Sequence, residues 1–154
     1  MLQLPKKFSD WFTSYGWQIH PHQKELLDRS QGPATLLITP TGGGKTLAGF
    51  LPTLTELAEN PVDGLHTLYV SPLKALAADI KRNLKTPIAE MALPIRVEDR
   101  TGDTSASQKR RQRADPPHIL LTTPESLALM LSYENAPQIF SSLQRVVIDE
   151  IHAL

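Results

Sequence analysis

The chain has 154 residues, the size of one ordinary domain, and its 16 Lys+Arg are balanced by 16 Asp+Glu. Hydrophobic residues make up 40% of the sequence, which is enough to bury a core and too many for a disordered chain. The sequence has no apolar run of membrane-spanning length, no pattern of a secretory signal and no cysteine, which excludes disulfides and thiolate sites and fits a reducing, cytoplasmic compartment.

The first 30 residues are rich in aromatic side chains with a helical pattern. Five of the chain's aromatic residues lie there, out of 4 Phe, 2 Trp and 3 Tyr in all. They are Phe8, Trp11, Phe12, Tyr15 and Trp17. We expect residues 1–30 to form a helical segment that packs against the main domain, residues 31–154.

From residue 34 onward, short apolar runs alternate with amphipathic segments. The predicted strands are 34–39, 66–71, 95–98, 118–122 and 145–149. The predicted helices are 47–58, 73–88, 105–114 and 124–131. Strands that alternate with helices, and that are almost continuously apolar, predict an α/β fold with a parallel sheet and helices on both faces.

The strongest chemical signal is a glycine-rich loop between the first predicted strand and its helix, the context that a P-loop requires. Backbone N–H groups of such a loop, and the amino end of the helix, attract phosphate oxygens. Lys45 would reach the β- and γ-phosphates of ATP, and the Thr46 hydroxyl would bind Mg²⁺. The expected phosphate-binding residues are Thr41, Gly42, Gly43, Gly44, Lys45 and Thr46. Thr39 stands where the general pattern has Gly, and a turn that binds nothing is the alternative.

A second motif follows the last predicted strand, where Asp149 and Glu150 end an apolar run. Asp149 can hold Mg²⁺ through a water molecule, and Glu150 can orient or deprotonate the attacking water. Alone, such a run is most often a strand that meets a turn. Together with the P-loop it predicts an NTP-hydrolysing site with Lys45, Asp149 and Glu150 as catalytic residues.

Several motifs in order resemble those of superfamily 2 DExH-box helicases. Residues 149–152 (DEIH) are similar to the DExH box, 71–77 to motif Ia, 101–103 to the TGD element and 122–125 to motif Ib. The superfamily often has Ala or Thr at the first P-loop position, which accounts for Thr39. Gln23 resembles the adenine-reading glutamine upstream of the loop. The sequence is most similar to the Lhr type, and within it to ligase-associated DEXH-box DNA helicases.

The resemblance implies the first of two RecA-like lobes of an ATP-dependent DNA helicase that acts in DNA repair. It implies ATP and Mg²⁺ as ligands, single-stranded or hybrid nucleic acid as a partner, and a role for His152 in coupling the ATP site to the strand path. The second lobe, which supplies the arginine fingers, would be a further partner, as would a DNA ligase or nuclease. No membrane partner is expected.

The sequence stops just after the DExH box, so we expect a truncated first lobe with an exposed apolar sheet edge. We expect this piece alone to be incompetent in turnover, since an arginine finger contributes about 10³–10⁵ in rate. Two alternatives stay open. One is another P-loop NTPase, such as a nucleotide kinase, and the other is a fragment that only binds ATP or single strands.

Short hydroxyl side chains and backbone N–H groups in the helicase-like motifs are candidates for phosphate contacts along a strand. The nucleic-acid candidates are Ser71, Lys74, Thr101, Gly102, Thr122 and Thr123. For the two threonines, a plain helix cap is an equally good interpretation. Asp103 and Glu125 cannot attract phosphate, and we expect helix-capping roles for them.

The zero net charge of the chain is an average over unlike segments. Residues 74–113 contain ten Lys/Arg and five Asp/Glu, a net charge of +5, so the remainder sums to −5. The excess lies where the proposed strand contacts fall, so neutrality does not exclude nucleic acid. The basic run 109–113 is more often a solvated face than a phosphate site, and the pair His20 and His22 is more often structural than metal-binding.

Overall fold

The computed structural model describes residues 3–38 and 44–154. Two helices come first, α1 (Lys6–Ser14) and α2 (Pro21–Asp28), and α3 (Lys45–Glu59) leads to the sheet. The remaining elements are β1 (Thr67–Val70), α4 (Lys74–Glu90), β2 (Val97–Arg100), α5 (Ala106–Ala114), β3 (Ile119–Thr122), α6 (Pro124–Leu131), α7 (Ala136–Ile139) and β4 (Arg145–Ile148). A 3₁₀ turn, Ile151–Ala153, follows β4. No helix in the described ranges is long and apolar enough to cross a membrane.

The four strands form one parallel sheet in the order β2-β3-β1-β4. The register places Val70 of β1 beside Thr122 of β3 on one side and Ile148 of β4 on the other. Arg100 of β2 is in turn paired with Thr122. The last residues of all four strands therefore lie in one row, and the predicted parallel α/β architecture is confirmed.

Alternate side chains of the strands point to two separate cores. Tyr69 and Leu121 pack in a cluster with residues from α1, α2, α3 and α4 on one face. Leu68 and Leu120 pack on the other face against α6 and α7. Helices therefore cover both faces, which is why β1 and β3 are apolar at nearly every position.

The N-terminal aromatic segment is part of the first core. Phe8 and Phe12 of α1 are buried in the same cluster as the residues of α3 and α4. The indole Nε1 of Trp11 donates to Glu90 Oε2 at 2.7 Å, and the Tyr15 hydroxyl donates to the other oxygen of the same carboxylate. These bonds fasten α1 to the end of α4.

The predicted strand at 34–39 is wrong in the part that the structure describes. Residues 34–38 pair with none of the four strands, and Leu36 and Ile38 are 71% and 84% exposed. An extended apolar run becomes a buried strand only where a neighbouring strand satisfies its backbone. Thr39 lies outside the described residues.

The outer edge of β4 has no strand partner among the described residues. Val146 and Ile148, which point to the second face, are half-exposed. Ile151 and Leu154, just beyond, are exposed as well. The expected apolar surface beside the DExH strand is therefore present.

The third predicted strand is shifted by two residues. The sequence predicts 95–98, and β2 spans Val97–Arg100. The predicted strand starts too early because it begins at the apolar residue Ile95, whereas three of the four residues of β2 are polar. They are tolerated because β2 is an edge strand and each has a partner, such as Lys81 Nζ at 2.7 Å from Asp99 Oδ1.

A polar cluster ties α3 to the amino ends of β1 and β4. The Arg145 guanidinium donates two hydrogen bonds to the Glu56 carboxylate, at 2.9 and 2.6 Å. His66 Nε2 lies 3.1 Å from Glu56 Oε2, and its Nδ1 is 2.8 Å from Thr67 Oγ1. Burial lowers the pKa of His66, although Glu56 opposes this shift.

The buried His66 makes stability depend on pH. The folded chain resists protonation at His66, whereas the unfolded chain takes up a proton near the ordinary pKa of about 6.5. The free energy of unfolding should therefore fall as the pH is lowered through about 6.5. Urea denaturation between about pH 8 and about pH 5.5 should show this fall, and His66→Gln should make it shallower. An equally steep fall in His66→Gln would contradict this account.

Candidate functional site

The segments that follow the four strands lie side by side at one edge of the sheet, because the strands are parallel and end in one row. Following the strand order, this edge carries the loop 101–104 after β2, Thr123 after β3, the loop 71–73 after β1 and Asp149 after β4. Each sequence motif after a strand is therefore at the same edge.

The start of α3 carries the described part of the phosphate loop. Gly44 has a φ of +73°, and Lys45 and Thr46 follow it in the first turn of α3. Gln23 is buried, and its Nε2 donates to the Gly44 carbonyl oxygen at 3.3 Å while its Oε1 accepts from the His20 backbone N–H at 2.9 Å. Thr41, Gly42 and Gly43 lie outside the described residues, as do Thr39 and Pro40.

A cavity of about 210 Å³ lies beside the start of α3. Its lining comes from α1, from the segment between α1 and α2, from α2 and from α3: Phe12, Trp17, Gln18, His20, Gln23 and Leu47. Trp17 is half-exposed and stacks on Tyr15, with ring centroids 4.5 Å apart. The cavity thus combines an accessible aromatic face with the amide of Gln23.

At the end of β4, both oxygens of the Asp149 carboxylate are held by neighbours. The Tyr69 hydroxyl donates to Oδ2 at 2.8 Å, and the Glu150 backbone N–H donates to Oδ1 at 2.9 Å. The Asp149 backbone N–H continues the sheet by donating to the Val70 carbonyl oxygen at 3.0 Å. This carboxylate is therefore fixed in orientation by β1 as well as by its own strand.

Glu150 adopts a left-handed backbone conformation, with φ of +50°. A non-glycine residue in this region is strained by about 1–2 kcal/mol, and such strain clusters at functional sites. The turn brings the Glu150 carboxylate to 3.0 Å from His152 Nε2. The structure thus joins the proposed catalytic glutamate to the proposed coupling histidine.

The donor atoms fit a magnesium ion that is shared with a nucleotide. Thr46 offers a hydroxyl and Asp149 a carboxylate, the oxygen ligands that Mg²⁺ takes. Within residues 3–38 and 44–154, no group of three or more His, Asp and Glu side chains could hold a metal. Mg²⁺ in NTP sites needs no such group, because one or two protein oxygens act together with phosphates and water.

An open groove of about 480 Å³ lies at the same edge, over the ends of β1, β2 and β3. Its lining residues come from the segments after these strands and from α5: Pro72, Leu73, Lys74, Thr101, Gly102, Lys109, Thr123, Glu125, Ser126 and Leu129. Lys74 Nζ lies 2.8 Å from Asp103 Oδ2 and holds the pKa of Asp103 below its usual value. Two lysines thus line the groove together with apolar side chains, hydroxyls and one carboxylate, that of Glu125.

Four of the six nucleic-acid candidates line this groove: Lys74, Thr101, Gly102 and Thr123. The hydroxyls of the other two, Ser71 and Thr122, lie in buried residues and bond to the protein itself. Thr122 Oγ1 donates to the Arg100 carbonyl oxygen at 2.7 Å, and Ser71 Oγ accepts from the Leu73 backbone N–H at 3.3 Å. These two buried side chains therefore hold backbone groups of the edge in place.

The helix caps differ in part from the prediction. Thr123 does cap α6, since its hydroxyl accepts from the Ser126 backbone N–H at 3.4 Å. Asp103 caps no helix, and the expectation of a capping role is wrong: Ser105 caps α5, and Asp103 pairs with Lys74. Glu125 lies in the first turn of α6, where a negative charge is favourable.

Two of the four basic residues in the run on α5 contact the rest of the protein. Arg111 pairs with Glu98, and Arg113 lies over the Tyr133 ring at 3.9 Å. Lys109 lines the groove. That the run is a solvated face and not a phosphate site stays a prediction. His20 and His22 stack on each other at 5.3 Å, which is structural.

Two functional-site residues were not singled out from the sequence. Arg100, at the end of β2, is buried and donates to the Lys109 carbonyl oxygen at 3.0 Å and to the Tyr133 hydroxyl, so it anchors α5 beside the groove. Tyr69 contacts Asp149. The only available signals were a charged residue at a strand end and a lone tyrosine in an aliphatic strand.

Comparison with protein families gives a match of residues 20–154 to the DEAD/DEAH box helicase model. The sequence is 42% identical to the ATP-dependent helicase Lhr-Core of Methanocaldococcus jannaschii, over 98% of this chain and 20% of that protein. It is 44% identical to the Lhr helicase/probable uracil glycosylase of Mycolicibacterium smegmatis, over 94% of this chain and 10% of that protein. The chain therefore spans a fifth or less of these relatives.

Solved structures give the same relationship. The Mycobacterium smegmatis helicase Lhr bound to ssDNA and AMP-PNP matches with a TM-score of 0.90 and 42% identity, over 98% of this chain and 21% of that chain. The DUF1998 helicase MrfA bound to DNA and AMPPNP matches with a TM-score of 0.85 and 30% identity, over 99% of this chain and 22% of that chain. The predicted helicase resemblance and the RecA-like fold are confirmed.

The contact between Gly44 and Gln23 can be tested with two alanine substitutions at glycines of similar backbone conformation. A Cβ on Gly44 would lie 2.9 Å from Gln23 Nε2, whereas a Cβ on Gly16, with φ of +66°, meets nothing within 4 Å. Both substitutions cost about 1 kcal/mol through the left-handed backbone. We expect Gly44→Ala to lower the free energy of unfolding by clearly more than Gly16→Ala in urea denaturation. Equal losses would contradict the close approach of Gln23.

Proposed function

This chain belongs to the DEAD/DEAH box helicase family, and on that premise we propose that it is the ATP-binding first lobe of a Lhr-type DNA helicase that acts in DNA repair. The observation that carries the proposal is the shared edge of the sheet. One end of this edge has Asp149 after β4, and the other end has the lysine-lined groove over β1, β2 and β3. A motor needs both a nucleotide site and a strand path on one rigid body.

The ATP site would be built from the start of α3 and the end of β4. Lys45 would contact the β- and γ-phosphates, together with the backbone of residues 41–44, and the N-terminal dipole of α3 would add to the attraction. Thr46 and Asp149 would hold Mg²⁺, which neutralises phosphate charge when bound. Glu150 would orient the attacking water and receive its proton. Gln23 and the cavity beside Trp17 would take the adenine.

A single nucleic-acid strand would lie in the groove. Lys74 and Lys109 line the groove and supply positive charge, which holds phosphates without reading sequence. The lining between them is largely apolar and open, which suits a strand held by its backbone with room for bases. The Lhr structure cited above was bound to ssDNA, and the MrfA structure to DNA.

The remaining parts of the motor would come from elsewhere. A second RecA-like lobe would supply arginine fingers, and the exposed apolar residues beside β4 offer a surface for further chain. A DNA ligase or nuclease would act beside the helicase in repair. The nucleotide-kinase alternative is set aside, because the helicase family match covers residues 20–154.

The proposal predicts DNA-stimulated ATP hydrolysis by the full-length protein, measured with and without single-stranded DNA. Lys45→Ala should abolish turnover, since the phosphates lose their cationic contact. Lys6→Ala, which removes an exposed lysine of α1, is the control and should leave turnover unchanged. A wild-type rate that ignores single-stranded DNA, or turnover that survives Lys45→Ala, would sink the helicase assignment.

The groove has its own test in the salt dependence of DNA binding. Lys109→Ala should remove one phosphate contact and reduce the slope of log affinity against log salt by about 0.7 for a single strand. Fluorescence anisotropy with a labelled oligonucleotide would measure the slope, with Arg82→Ala on the exposed side of α4 as control. If both variants give the wild-type slope, the strand does not pass Lys109.

A further inference from the structure

Tyr69 is a buried tyrosine in an inner strand of the sheet. It lies in β1, the strand between β3 and β4, and its side chain is buried. Its ring packs against Phe50 of α3, with centroids 5.6 Å apart, on the face that carries the first core. Its hydroxyl extends from this apolar setting to Asp149 Oδ2 at 2.8 Å.

The hydroxyl is a permanent donor. A tyrosine phenol, with an ordinary pKa of about 10, is protonated near neutral pH and can donate a hydrogen bond. A buried phenol normally finds a partner, and here the partner is the carboxylate that the DExH motif places at the ATP site. With the Glu150 backbone N–H on the other oxygen, Asp149 has one preferred orientation.

The face of the sheet that carries Tyr69 also leads to the groove. Ser71 continues the ladder beyond β1, because its backbone N–H donates to the Thr122 carbonyl oxygen at 3.0 Å. Since side chains two residues apart in a strand point to the same face, Ser71 lies on the face of Tyr69. Ser71 Oγ accepts from the Leu73 backbone N–H at 3.3 Å, and Leu73 and Lys74 both line the groove. Tyr69, Ser71 and the loop at the groove therefore follow one another on this face.

We propose that the Tyr69 hydroxyl is a positioning group that orients Asp149 for the magnesium–nucleotide complex and links it, through Ser71, to the loop that contacts the strand. This inference rests on the proposed function. Binding of the nucleotide complex changes what Asp149 contacts, and this change alters the position of the Tyr69 hydroxyl and the Ser71–Leu73 turn. Nucleotide and strand binding are thereby coupled, and the coupling is reciprocal.

The experiment uses the full-length protein and removes single hydroxyl groups. Tyr69→Phe keeps the ring against Phe50 and deletes only the donor. Ser141→Ala is the control, since it removes a hydroxyl that donates to the Gln138 carbonyl oxygen at 2.9 Å, before the amino end of β4. Ser71→Ala breaks only the second half of the link. Melting temperature is measured for each variant, so that a general loss of structure is seen directly.

Two binding measurements give the readout. Affinity for a fluorescent, non-hydrolysable ATP analogue is measured with Mg²⁺ and with EDTA. Affinity for a labelled single-stranded oligonucleotide is measured with and without the analogue. Tyr69→Phe should weaken analogue binding about tenfold with Mg²⁺, the scale of one hydrogen bond to a charged group, and leave binding in EDTA unchanged. It should also abolish the effect of the analogue on DNA affinity.

Ser71→Ala should keep the Mg²⁺ dependence of analogue binding and lose the effect on DNA affinity. Ser141→Ala should match the wild type in both. A merely structural Tyr69 would weaken analogue binding equally with Mg²⁺ and with EDTA. That result, or a Tyr69→Phe protein identical to the wild type, would overturn the inference and leave the proposed function standing. A wild-type protein that binds neither ligand would overturn both.

Discussion

The row of strand ends is the constraint on which the rest of the structure depends. Four parallel strands in register bring the carboxyl ends of β1, β2, β3 and β4 to one edge, although they are far apart in sequence. The backbone alone sets this arrangement, and the side chains after each strand inherit their positions from it. In open parallel sheets ligands bind outside the carboxyl ends of the strands, which is why the proposed sites are assigned to this edge.

At this edge, a layer of buried polar groups lies beneath a layer of accessible lysines. Below the surface, buried polar groups satisfy one another: Thr122 with the Arg100 carbonyl oxygen, and Ser71 with the Leu73 backbone. Above them, Lys74 and Lys109 remain accessible in the groove. Buried polar networks of this kind are rigid only when every member is satisfied. The hydroxyls of Ser71 and Thr122, which belong to helicase-like motifs, therefore do not face the groove but stabilise the backbone beneath it.

Sequence reasoning predicted those parts of the fold in which local pattern and tertiary position agree. β1 and β3 are apolar at nearly every position because both faces are covered, and α6 begins at Pro124 behind a threonine cap. It failed where a neighbour decides the outcome. Residues 34–38 are mostly apolar but pair with none of the strands that the structure describes, and β2 is mostly polar but is held by α4 and α5. The composition of a short stretch of sequence does not show whether another strand or helix packs beside that stretch.

The same distinction between local pattern and neighbouring contacts applies to the candidate site. Lys45, Asp149 and Glu150 could be proposed from the sequence because their spacing from a strand or helix is the motif itself, and their roles stay predictions. The partner of Asp103 and the contact of Tyr69 with Asp149 could not be predicted, since each joins residues from segments far apart in the sequence. The left-handed backbone of Glu150 also has no signature in the residue type.

Hydrogen–deuterium exchange of the full-length protein would test most directly whether one edge of the sheet serves both ligands. The account predicts that single-stranded DNA slows exchange in the loops 71–74 and 101–104, and that a Mg²⁺–ATP analogue slows exchange at 44–48 and 149–152. It also predicts that the analogue changes the protection of 71–74 by DNA. Protection by DNA at the opposite edge, around His66 and His118, with none in these loops would contradict it.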